Sequence, residues 1–354
     1  YDSKKSGGVT VSHLRFGEHP IQSTYLINQA DFVACHNQAY IRQYDMLKDL
    51  KRGGTFLLNS LWSDDEIGDN LPAKVKRDLA KKNIKFYVIN AWKIAEDIGL
   101  GNRINMVMQA AFFKLTGVIP IDDAVEYLKE GIDKAYKKKG QNIVDMNCAA
   151  VDQGIASIRE IEVPDSWAEV EDPKEKYEEL PEFIEDVLIP MNKQEGDDLP
   201  VSAFEGIEDG TFPSGTAAYE KRGVAVYLPE WQADKCIQCN QCSFVCPHAA
   251  IRPMLLDDEE KAAAPESFKT IKAVGKGLEG LNYRMQLSAL DCLGCGNCAD
   301  ICPAKEKALI MKPYADVVEE SKNWDYGINI SRKDDRVDTH TVKGSQFAKP
   351  YIEF

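Results

Sequence analysis

The chain has 354 residues, of which 44% are hydrophobic, and a formal net charge of −14. This length allows two or three domains, and no apolar run approaches the roughly 20 residues that a membrane-spanning helix needs. The acidic balance argues against nucleic-acid binding, because contacts with phosphate groups require clustered Lys and Arg.

Residues 1–159 alternate predicted strands and helices. Short apolar runs predict strands at 30–37, 55–60 and 85–90. Apolar residues at helical spacing predict one helix at 41–54, which ends on two glycines, and another at 122–136. Alternating strands and helices are typical of an α/β domain with a mainly parallel sheet, and this is the fold that we expect here.

The loops after the predicted strands, at 36–38, 59–66 and 90–93, are rich in polar side chains. Ligands of such sheets gather beyond the carboxyl ends of the strands, so these loops suit a binding crevice. Turn and helix-cap chemistry explains the same residues equally well.

Residues 160–215 are acidic and rich in proline. Within them, residues 160–210 contain 18 Asp and Glu but only 3 Lys, so the excess negative charge of the whole chain belongs to this stretch. The prolines and the loss of a regular apolar period predict a linker, or a small irregular domain wrapped over its neighbours. An acidic run of this kind is usually a solvated surface.

Residues 216–313 contain an internal repeat. Four cysteines in the run CIQCNQCSFVCP (236–247) recur with the same spacing in CLGCGNCADICP (292–303). Each run lies between two segments of strand character, so the order strand, cysteine loop, short helix, strand occurs twice. Residues 247–291 form a long insertion between the runs, and residues 314–354 are expected to form an extended strap.

The spacing of these cysteines distinguishes between disulfides, zinc and iron–sulfur clusters. Disulfides require an oxidising compartment, and four cysteines this close in sequence would force strained loops. Structural zinc usually takes two CxxC pairs from separate chain segments. Three cysteines at intervals of three, followed by a fourth before proline, match the bacterial ferredoxin pattern for [4Fe–4S] clusters. The sequence therefore predicts two such clusters and a role in electron transfer.

In this pattern the fourth cysteine of each run ligates the other cluster. Three thiolates wrap a tight turn around one cluster, and the short helix that follows carries the fourth thiolate away from it. The predicted ligands of cluster 1 are Cys236, Cys239, Cys242 and Cys302. The predicted ligands of cluster 2 are Cys292, Cys295, Cys298 and Cys246. The two remaining cysteines, Cys35 and Cys148, are expected to be ordinary core thiols.

Several segments resemble the pyruvate:ferredoxin (flavodoxin) oxidoreductase family, and together they cover essentially the whole chain. They are YDSKKSGGVTVSHLRFG (1–17), PIQSTYLI (20–27), DGTFPSGTAAYEKRG (209–223), both cysteine runs and TVKGSQFAKPYIEF (341–354). The resemblance implies that the chain is the middle portion of a longer polypeptide. This portion would comprise a coenzyme A-associated α/β domain, a small acidic domain and an α+β, bacterial-ferredoxin-like domain with two [4Fe–4S] clusters.

The resemblance also implies a reaction for the complete protein: pyruvate and coenzyme A would give acetyl-CoA, carbon dioxide and electrons. Thiamine diphosphate, Mg²⁺ and a third [4Fe–4S] cluster would belong to parts of that protein outside this chain, so the chain alone is expected to be inactive. Ferredoxin or flavodoxin would accept the electrons one at a time. The family further implies a homodimer, located in the cytoplasm or in a reducing anaerobic organelle of a eukaryote.

Coenzyme A contact is expected near the start of the chain. The residues that the resemblance points to are Lys4, Lys5, Ser12, His13 and Arg15. The lysines would meet phosphate groups, and the other three would hold the nucleotide or the pantetheine. The same segment suits docking against the thiamine domains, and both alternatives stay open. For the whole chain, the alternative is a self-standing ferredoxin-type adaptor with an α/β module that binds a partner.

Overall fold

The computed structural model describes residues 8–22, 26–172 and 180–348. It divides into two compact units, one spanning Val9–Leu180 and the other running from Pro181 onward. The boundary between the units falls within the acidic stretch 160–215. None of the helices in the described ranges combines the length and the apolarity that crossing a bilayer requires.

The first unit is an α/β domain with a four-stranded sheet. Its strands, β1 to β4, are Ala30–Cys35, Leu50–Asn59, Lys85–Ile89 and Arg159–Ile161. Its helices, α1 to α7, are Tyr40–Gln43, Asp64–Asn70, Ala73–Lys81, Ala91–Ile98, Asn105–Thr116, Ile121–Tyr136 and Gln141–Ala156. The strand order is β1-β2-β3-β4, with β1, β2 and β3 parallel and β4 antiparallel to β3. The predicted mainly parallel sheet is therefore confirmed, and the helix predicted at 122–136 is α6.

Helices cover both faces of this sheet. Since successive side chains of a strand point to opposite faces, each strand contributes side chains to two cores. On β2, Phe56 and Leu58 are buried in a core shared with α2 and α3, whereas Leu57 is buried in a core shared with α4, α5 and α7. All three side chains are completely inaccessible to solvent. A strand that is covered on both faces requires a continuous apolar run, and the sequence has one at this position.

The helix predicted at 41–54 is wrong beyond its first residues. The helix α1 ends at Gln43, and the chain enters β2 at Leu50. The apolar spacing that suggested a helix comes from core contacts, since Leu47 and Leu50 are buried in a turn and at a strand end. Leu50 pairs with Ala30 of β1, and pairing in the sheet overrides the weak local preference for helix.

The second unit begins with short helical turns and continues into the domain that carries the cysteine runs. Its strands, β5 to β9, are Tyr227–Trp231, Ile251–Leu256, Ile271–Lys272, Asn282–Leu287 and Leu309–Pro313. Its α-helices, α8 to α14, are Ile189–Asn192, Gln241–Phe244, Asp258–Ala263, Asn297–Asp300, Tyr314–Val317, Glu320–Ile328 and Val342–Ser345.

The two halves of the repeat are interlocked. The first half supplies β5, α9 and β6, and the second supplies β8, α11 and β9, in the order that the repeat predicts. Two antiparallel pairs take one strand from each half, because β5 pairs with β9 and β6 pairs with β8. The helices α9 and α11 also contact each other. Neither half therefore has a complete sheet of its own.

Two stretches of the second unit differ from the expected outline. The stretch 247–291 contains β6 and β8, so only the part between them, with α10 and β7, is additional to the repeat. Residues 314–348 form α12, α13 and α14 and are not an extended strap. Val317 and Phe347 from this segment are buried in the same core as the cysteine loops, so the segment is an integral part of the unit.

Candidate iron–sulfur centre

The two cysteine loops share one backbone geometry, which they reach with different residues. In the second loop, Gly294 and Gly296 have φ of +69° and +81°. The equivalent residues of the first loop, Gln238 and Asn240, have φ of 58° and 59°. A left-handed backbone is costly for a residue with a side chain, so the match shows that both loops must turn in the same way.

Side-chain hydrogen bonds stabilise the left-handed residues of the first loop. The Gln238 amide donates to the Lys272 carbonyl at 2.7 Å and accepts from the Val274 N–H at 2.8 Å. The Asn240 amide donates to the Lys343 carbonyl at 2.8 Å, and its oxygen accepts from the Tyr283 hydroxyl at 2.8 Å. Gln238 and Asn240 are almost fully buried, so each of these bonds is made inside the protein.

The predicted ligands of cluster 2 line one cavity. Cys246, which follows α9, faces this cavity together with Cys292, Cys295 and Cys298 of the second loop. The rest of the lining is largely apolar and includes Pro229, Leu287 and Met311. Four thiols from two sequence-distant segments therefore meet in a mainly apolar space, and this donor set fits a [4Fe–4S] cluster.

Three of the predicted ligands of cluster 1 are also neighbours. Burial raises the pKa of the Cys242 thiol, and the charges of Cys236, Cys298 and Cys239 act in the same direction. Burial likewise raises the pKa of the completely buried Tyr283, beside the same cysteines. Cys302 follows α11, where its sulfur accepts a hydrogen bond from the Ala308 N–H at 3.4 Å. Its ligation of cluster 1 stays a prediction.

The thiols that line the cavity do not ionise readily on their own. Burial raises the pKa of Cys292 to about 11 and that of Cys298 to about 12, and neighbouring thiolates add to both shifts. At neutral pH they lose their protons only when a bound cation compensates the charge. Backbone groups support the ionised form, because the Gly294 N–H donates to the Cys292 sulfur at 3.4 Å.

Among the described residues, no group of three or more His, Cys, Asp or Glu side chains converges closely enough to hold a single metal ion. A four-iron cluster does not require such convergence, since each thiolate binds a different iron atom.

The residues proposed for coenzyme A are only partly described. Lys4 and Lys5 lie outside the described residues. Ser12 and His13 are exposed. The His13 Nδ1 accepts a hydrogen bond from the Ile27 N–H at 3.0 Å, and the Arg15 guanidinium donates to the Leu26 carbonyl at 3.0 Å. His13 and Arg15 are thus brought together as anchors of residues 26–27.

The polar loops of the α/β domain show both turn and cap contacts and a cavity, the two alternatives that the sequence left open. Many of their groups serve turn and cap chemistry: the Asn59 amide bridges the His36 carbonyl and the Ala91 N–H, and the Ser60 hydroxyl donates to Gln38. An open cavity of about 970 Å³ also lies at this edge, lined by loop residues and by charged or polar side chains of later elements. Lys93 belongs to the predicted loop 90–93, whereas Asp97, Gln153 and Arg159 come from later elements and were missed by sequence reasoning.

Sequence reasoning also missed most of the polar residues around the first cysteine loop. One signal was available, because a tyrosine stands nine residues before the first cysteine of each run, Tyr227 in one half and Tyr283 in the other. No comparable signal exists for Lys343, since it lies far along the chain and outside the repeat.

Fold and site together define the class of the molecule. It is an iron–sulfur protein in which an α/β domain with a mainly parallel sheet is followed by a small domain and a ferredoxin-like dicluster domain. The particular family follows from comparison with known proteins.

Three family models match successive parts of the chain. The model described as pyruvate ferredoxin/flavodoxin oxidoreductase matches residues 1–157. A domain of unknown function matches residues 169–225, and a 4Fe–4S dicluster domain matches residues 235–306. The last match contains all eight cysteines of the two runs.

Relatives match the chain over its full length. A pyruvate-flavodoxin oxidoreductase of Enterobacter agglomerans is 56% identical, a pyruvate:ferredoxin oxidoreductase of Moorella thermoacetica 55%, and a pyruvate-flavodoxin oxidoreductase of Klebsiella pneumoniae 52%. Each match covers 100% of this chain and 30% of the relative. The chain belongs to the pyruvate:ferredoxin (flavodoxin) oxidoreductase family, and it spans about 30% of the length of these relatives.

Proposed function

We propose that this chain is the electron-relay portion of a pyruvate:ferredoxin or pyruvate:flavodoxin oxidoreductase. The observation that carries the proposal is the cavity that Cys246 of the first loop shares with Cys292, Cys295 and Cys298 of the second. Two independent metal sites, one in each loop, would not require a cysteine from the opposite loop. Crossed ligation brings two clusters into one compact core, which is the arrangement that a relay needs.

The residues of the chain have three tasks in this proposal. The eight cysteines of the two runs hold the clusters, and the largely apolar lining of the cavity around Cys246 limits the access of water to cluster 2 except at the exposed Cys295. Backbone N–H groups, such as that of Gly294, donate to the sulfurs and tune the reduction potentials. When bound, [4Fe–4S] clusters supply one-electron oxidation and reduction.

In the complete protein, pyruvate and coenzyme A would be converted to acetyl-CoA and carbon dioxide. Thiamine diphosphate, Mg²⁺ and a third [4Fe–4S] cluster would be held by other parts of that protein, so the chain alone has no pyruvate-cleaving activity in this proposal. Ferredoxin or flavodoxin would take the electrons, the complete protein would be a homodimer, and its location would be the cytoplasm or a reducing organelle. The alternative of a self-standing adaptor is less favoured, because the relatives match the whole chain with only part of their own length.

The proposal includes coenzyme A contact by the segment with Ser12, His13 and Arg15, together with Lys4 and Lys5. One observation favours the alternative, in which this segment packs against another part of the complete protein. Five large apolar side chains in or next to it are exposed: Val11, Leu14, Phe16, Ile21 and Leu26. Apolar residues exposed together in this way are typical of an interaction surface.

Iron analysis after anaerobic reconstitution with iron and sulfide tests the relay. We expect about eight iron atoms and about eight sulfides per chain, with the electron paramagnetic resonance (EPR) signals of reduced [4Fe–4S] clusters. Zinc in place of iron, or clearly less iron, would contradict the cluster assignment. Thiamine-dependent cleavage of pyruvate by this chain alone would contradict its role as a relay portion.

A titration with coenzyme A tests the second part of the proposal. If Arg15 contacts the cofactor, Arg15→Ala weakens binding, whereas equal affinities of variant and wild type would favour the packing alternative. Lys114→Ala, which removes a cation elsewhere on the same unit, controls for a general loss of positive charge.

A further inference from the structure

The surroundings of the two cysteine loops differ in charge. The first loop lies against the segment that contains α14, and Lys343 of this helix is fixed at both ends. Its carbonyl accepts from Asn240 at 2.8 Å, and its ammonium group donates to the Val274 carbonyl at 2.5 Å. Val274 in turn donates to Gln238 at 2.8 Å. Asn240 and Gln238 are both residues of the first cysteine loop, so the ammonium group is held at the edge of that loop.

The helix that carries Lys343 is firmly seated. The Thr341 side chain caps it by accepting from the Gly344 N–H at 3.0 Å. A Cβ at Gly344 would lie 1.9 Å from the Asp338 carbonyl oxygen, so only glycine fits there. Phe347 is buried and its ring lies edge-on to Tyr283, with centroids 6.2 Å apart. Lys343 is therefore a charge in a defined place and not a mobile surface lysine.

The charge of Lys343 acts on the predicted ligands of cluster 1. Burial lowers the pKa of Lys343, whereas the charges of Cys239 and Cys236 act to raise it, so the three groups interact electrostatically. In the described part of the chain, no carboxylate forms an ion pair with Lys343. A second cation, the buried Arg252, donates to the hydroxyl of Ser243, next to Cys242, at 3.1 Å.

The second loop has a balanced pair of charges instead. Asp291 directly precedes Cys292 and forms an ion pair with Lys221 at 2.6 Å. The hydroxyl of Ser288 also donates to Asp291, at 2.5 Å. The position that corresponds to Arg252 in the repeat is the apolar Ile310. The cavity around Cys246, Cys292 and Cys298 is lined largely by apolar groups, and His248 and Asn297 are the polar side chains in it besides the cysteines.

A fixed positive charge stabilises the reduced form of a cluster, because reduction adds one negative charge, and the low internal dielectric strengthens the effect. From these contacts we infer that Lys343, supported by Arg252, gives cluster 1 a higher reduction potential than cluster 2. Electrons then move from cluster 2, at the Cys292 loop, to cluster 1, at the Cys236 loop, in the direction of increasing reduction potential. Water at the exposed Cys295 acts in the same sense on cluster 2, by stabilising its reduced form, so the proposed order of the potentials requires the fixed charges beside cluster 1 to outweigh it.

This inference rests on the proposed function, so the test first verifies that each variant carries about eight iron atoms. Redox titration of the loaded protein, followed by EPR, then gives the potentials of both clusters. For Lys343→Gln, which keeps a hydrogen-bond donor and removes the charge, we expect the higher potential to fall. We expect a change of about tenfold in the electron distribution between the clusters, equivalent to 59 mV for one electron. Lys343→Arg, which keeps the charge, should retain the wild-type value.

A second variant tests the other loop. Asp291→Asn leaves Lys221 without its carboxylate, and we expect it to raise the lower potential while the higher one stays constant. A fall of the lower potential in Lys343→Gln would overturn the proposed order of the clusters. Full iron content with both potentials unchanged in Lys343→Gln would overturn the role of Lys343. A wild-type chain that does not bind iron would contradict the proposed function itself.

Discussion

Gly294 and Gly296 give the second cysteine loop a backbone that other residues adopt only with strain. The two positions differ in the space around them. A Cβ at Gly294 would lie 2.6 Å from the Tyr227 carbonyl oxygen and 3.2 Å from the Ala225 Cβ, whereas a Cβ at Gly296 would meet nothing within 4 Å. The first glycine therefore allows the loop to approach β5, and the second only allows the turn.

The two glycines make a matched pair of variants. Gly296→Ala should lower the stability of the iron-loaded protein by about 1–2 kcal/mol, the cost of a left-handed backbone alone. Gly294→Ala should cost roughly 2–5 kcal/mol, because the contact with β5 adds to the same strain. Thermal unfolding of both variants, with their iron content, checks the difference. Equal losses would show that the approach to β5 does not constrain the loop.

At the scale of residues, the sequence indicates candidate ligands but not the groups that surround them. Spacing alone indicated eight ligands and their crossed assignment, because the ferredoxin pattern is short and local. Tyr283, Arg252 and Lys343 lie after the first loop in the sequence. Their separations from the loop range from 9 positions, between Ser243 and Arg252, to 107 positions, between Cys236 and Lys343. The repeated tyrosine points to Tyr283, but no local pattern marks Arg252 or Lys343, whose contacts exist only once β6 and α14 have packed.

Helix α10 illustrates how one side chain can join two elements. Asp257 and Glu260 form a capping box at its start. The carboxylate of Glu260 also accepts from the Ser331 N–H at 2.8 Å and pairs with the Lys333 ammonium at 3.0 Å. Burial acts to raise the pKa of Glu260, but these hydrogen bonds lower it to about 2. The carboxylate is therefore ionised at neutral pH and ties α10 to the segment after α13.

Replacement of this carboxylate should loosen the junction. Because the folded pKa lies below the ordinary value of 4.5, the stabilisation is complete above about pH 4.5 and is lost only in strong acid. At pH 7 we expect Glu260→Gln to lower the free energy of unfolding by about 1–2 kcal/mol. The exposed neighbour Glu259 provides the control, since Glu259→Gln should leave stability unchanged. Similar stability of the two variants in chemical denaturation would contradict this account of the junction.

At the scale of elements, strands were predicted more reliably than the helix at 41–54. Within the run 55–60, three successive residues, Phe56, Leu57 and Leu58, are apolar, and a strand between two helix layers needs apolar side chains on both faces. The apolar residues at 41–54 fit a helix and also fit a turn followed by a strand, and sheet pairing with Ala30 decides between them. The strap predicted at 314–354 is wrong over the described residues 314–348, because these residues form three helices, and Val317 and Phe347 pack in the core of the cysteine domain.

The whole molecule consists of two units with different sources of stability. The first unit has continuous apolar cores on both sides of its sheet. In the second unit, five of the eight predicted ligand cysteines belong to the main apolar core or pack against it: Cys236, Cys242, Cys246, Cys292 and Cys298. Iron binding to these thiols would thus contribute directly to folding.

Removal of iron should therefore affect the two units unequally. In amide hydrogen exchange we expect the iron-free protein to lose protection in β5, β6, β8 and β9, while β2 and β3 keep theirs. The first unit is the internal control. Unchanged protection of β5 and β9 without iron would show that the cysteine domain folds independently of its clusters.

The fold class and the family were predictable at this scale, since the alternation of elements and the repeat extend over long stretches. The interlocking of the halves was implied only indirectly, through the expected exchange of the fourth cysteines. The boundary between the units at residue 180 was not predictable, because proline and acidic residues mark the whole of 160–215 and not one point within it.

Crossed ligation is the central claim. Two variants, in each of which four of the eight cysteines are replaced by Ala, test it most directly. In the first, Cys236, Cys239, Cys242 and Cys302 are replaced by Ala, which leaves the four thiols of the shared cavity. In the second, Cys292, Cys295, Cys298 and Cys302 are replaced, which leaves the four thiols of the first run. After anaerobic reconstitution we expect the first variant to bind about four iron atoms as one complete cluster, and the second to bind clearly less, since it keeps only three ligands of any one cluster. A complete four-iron cluster in the second variant and none in the first would contradict the account.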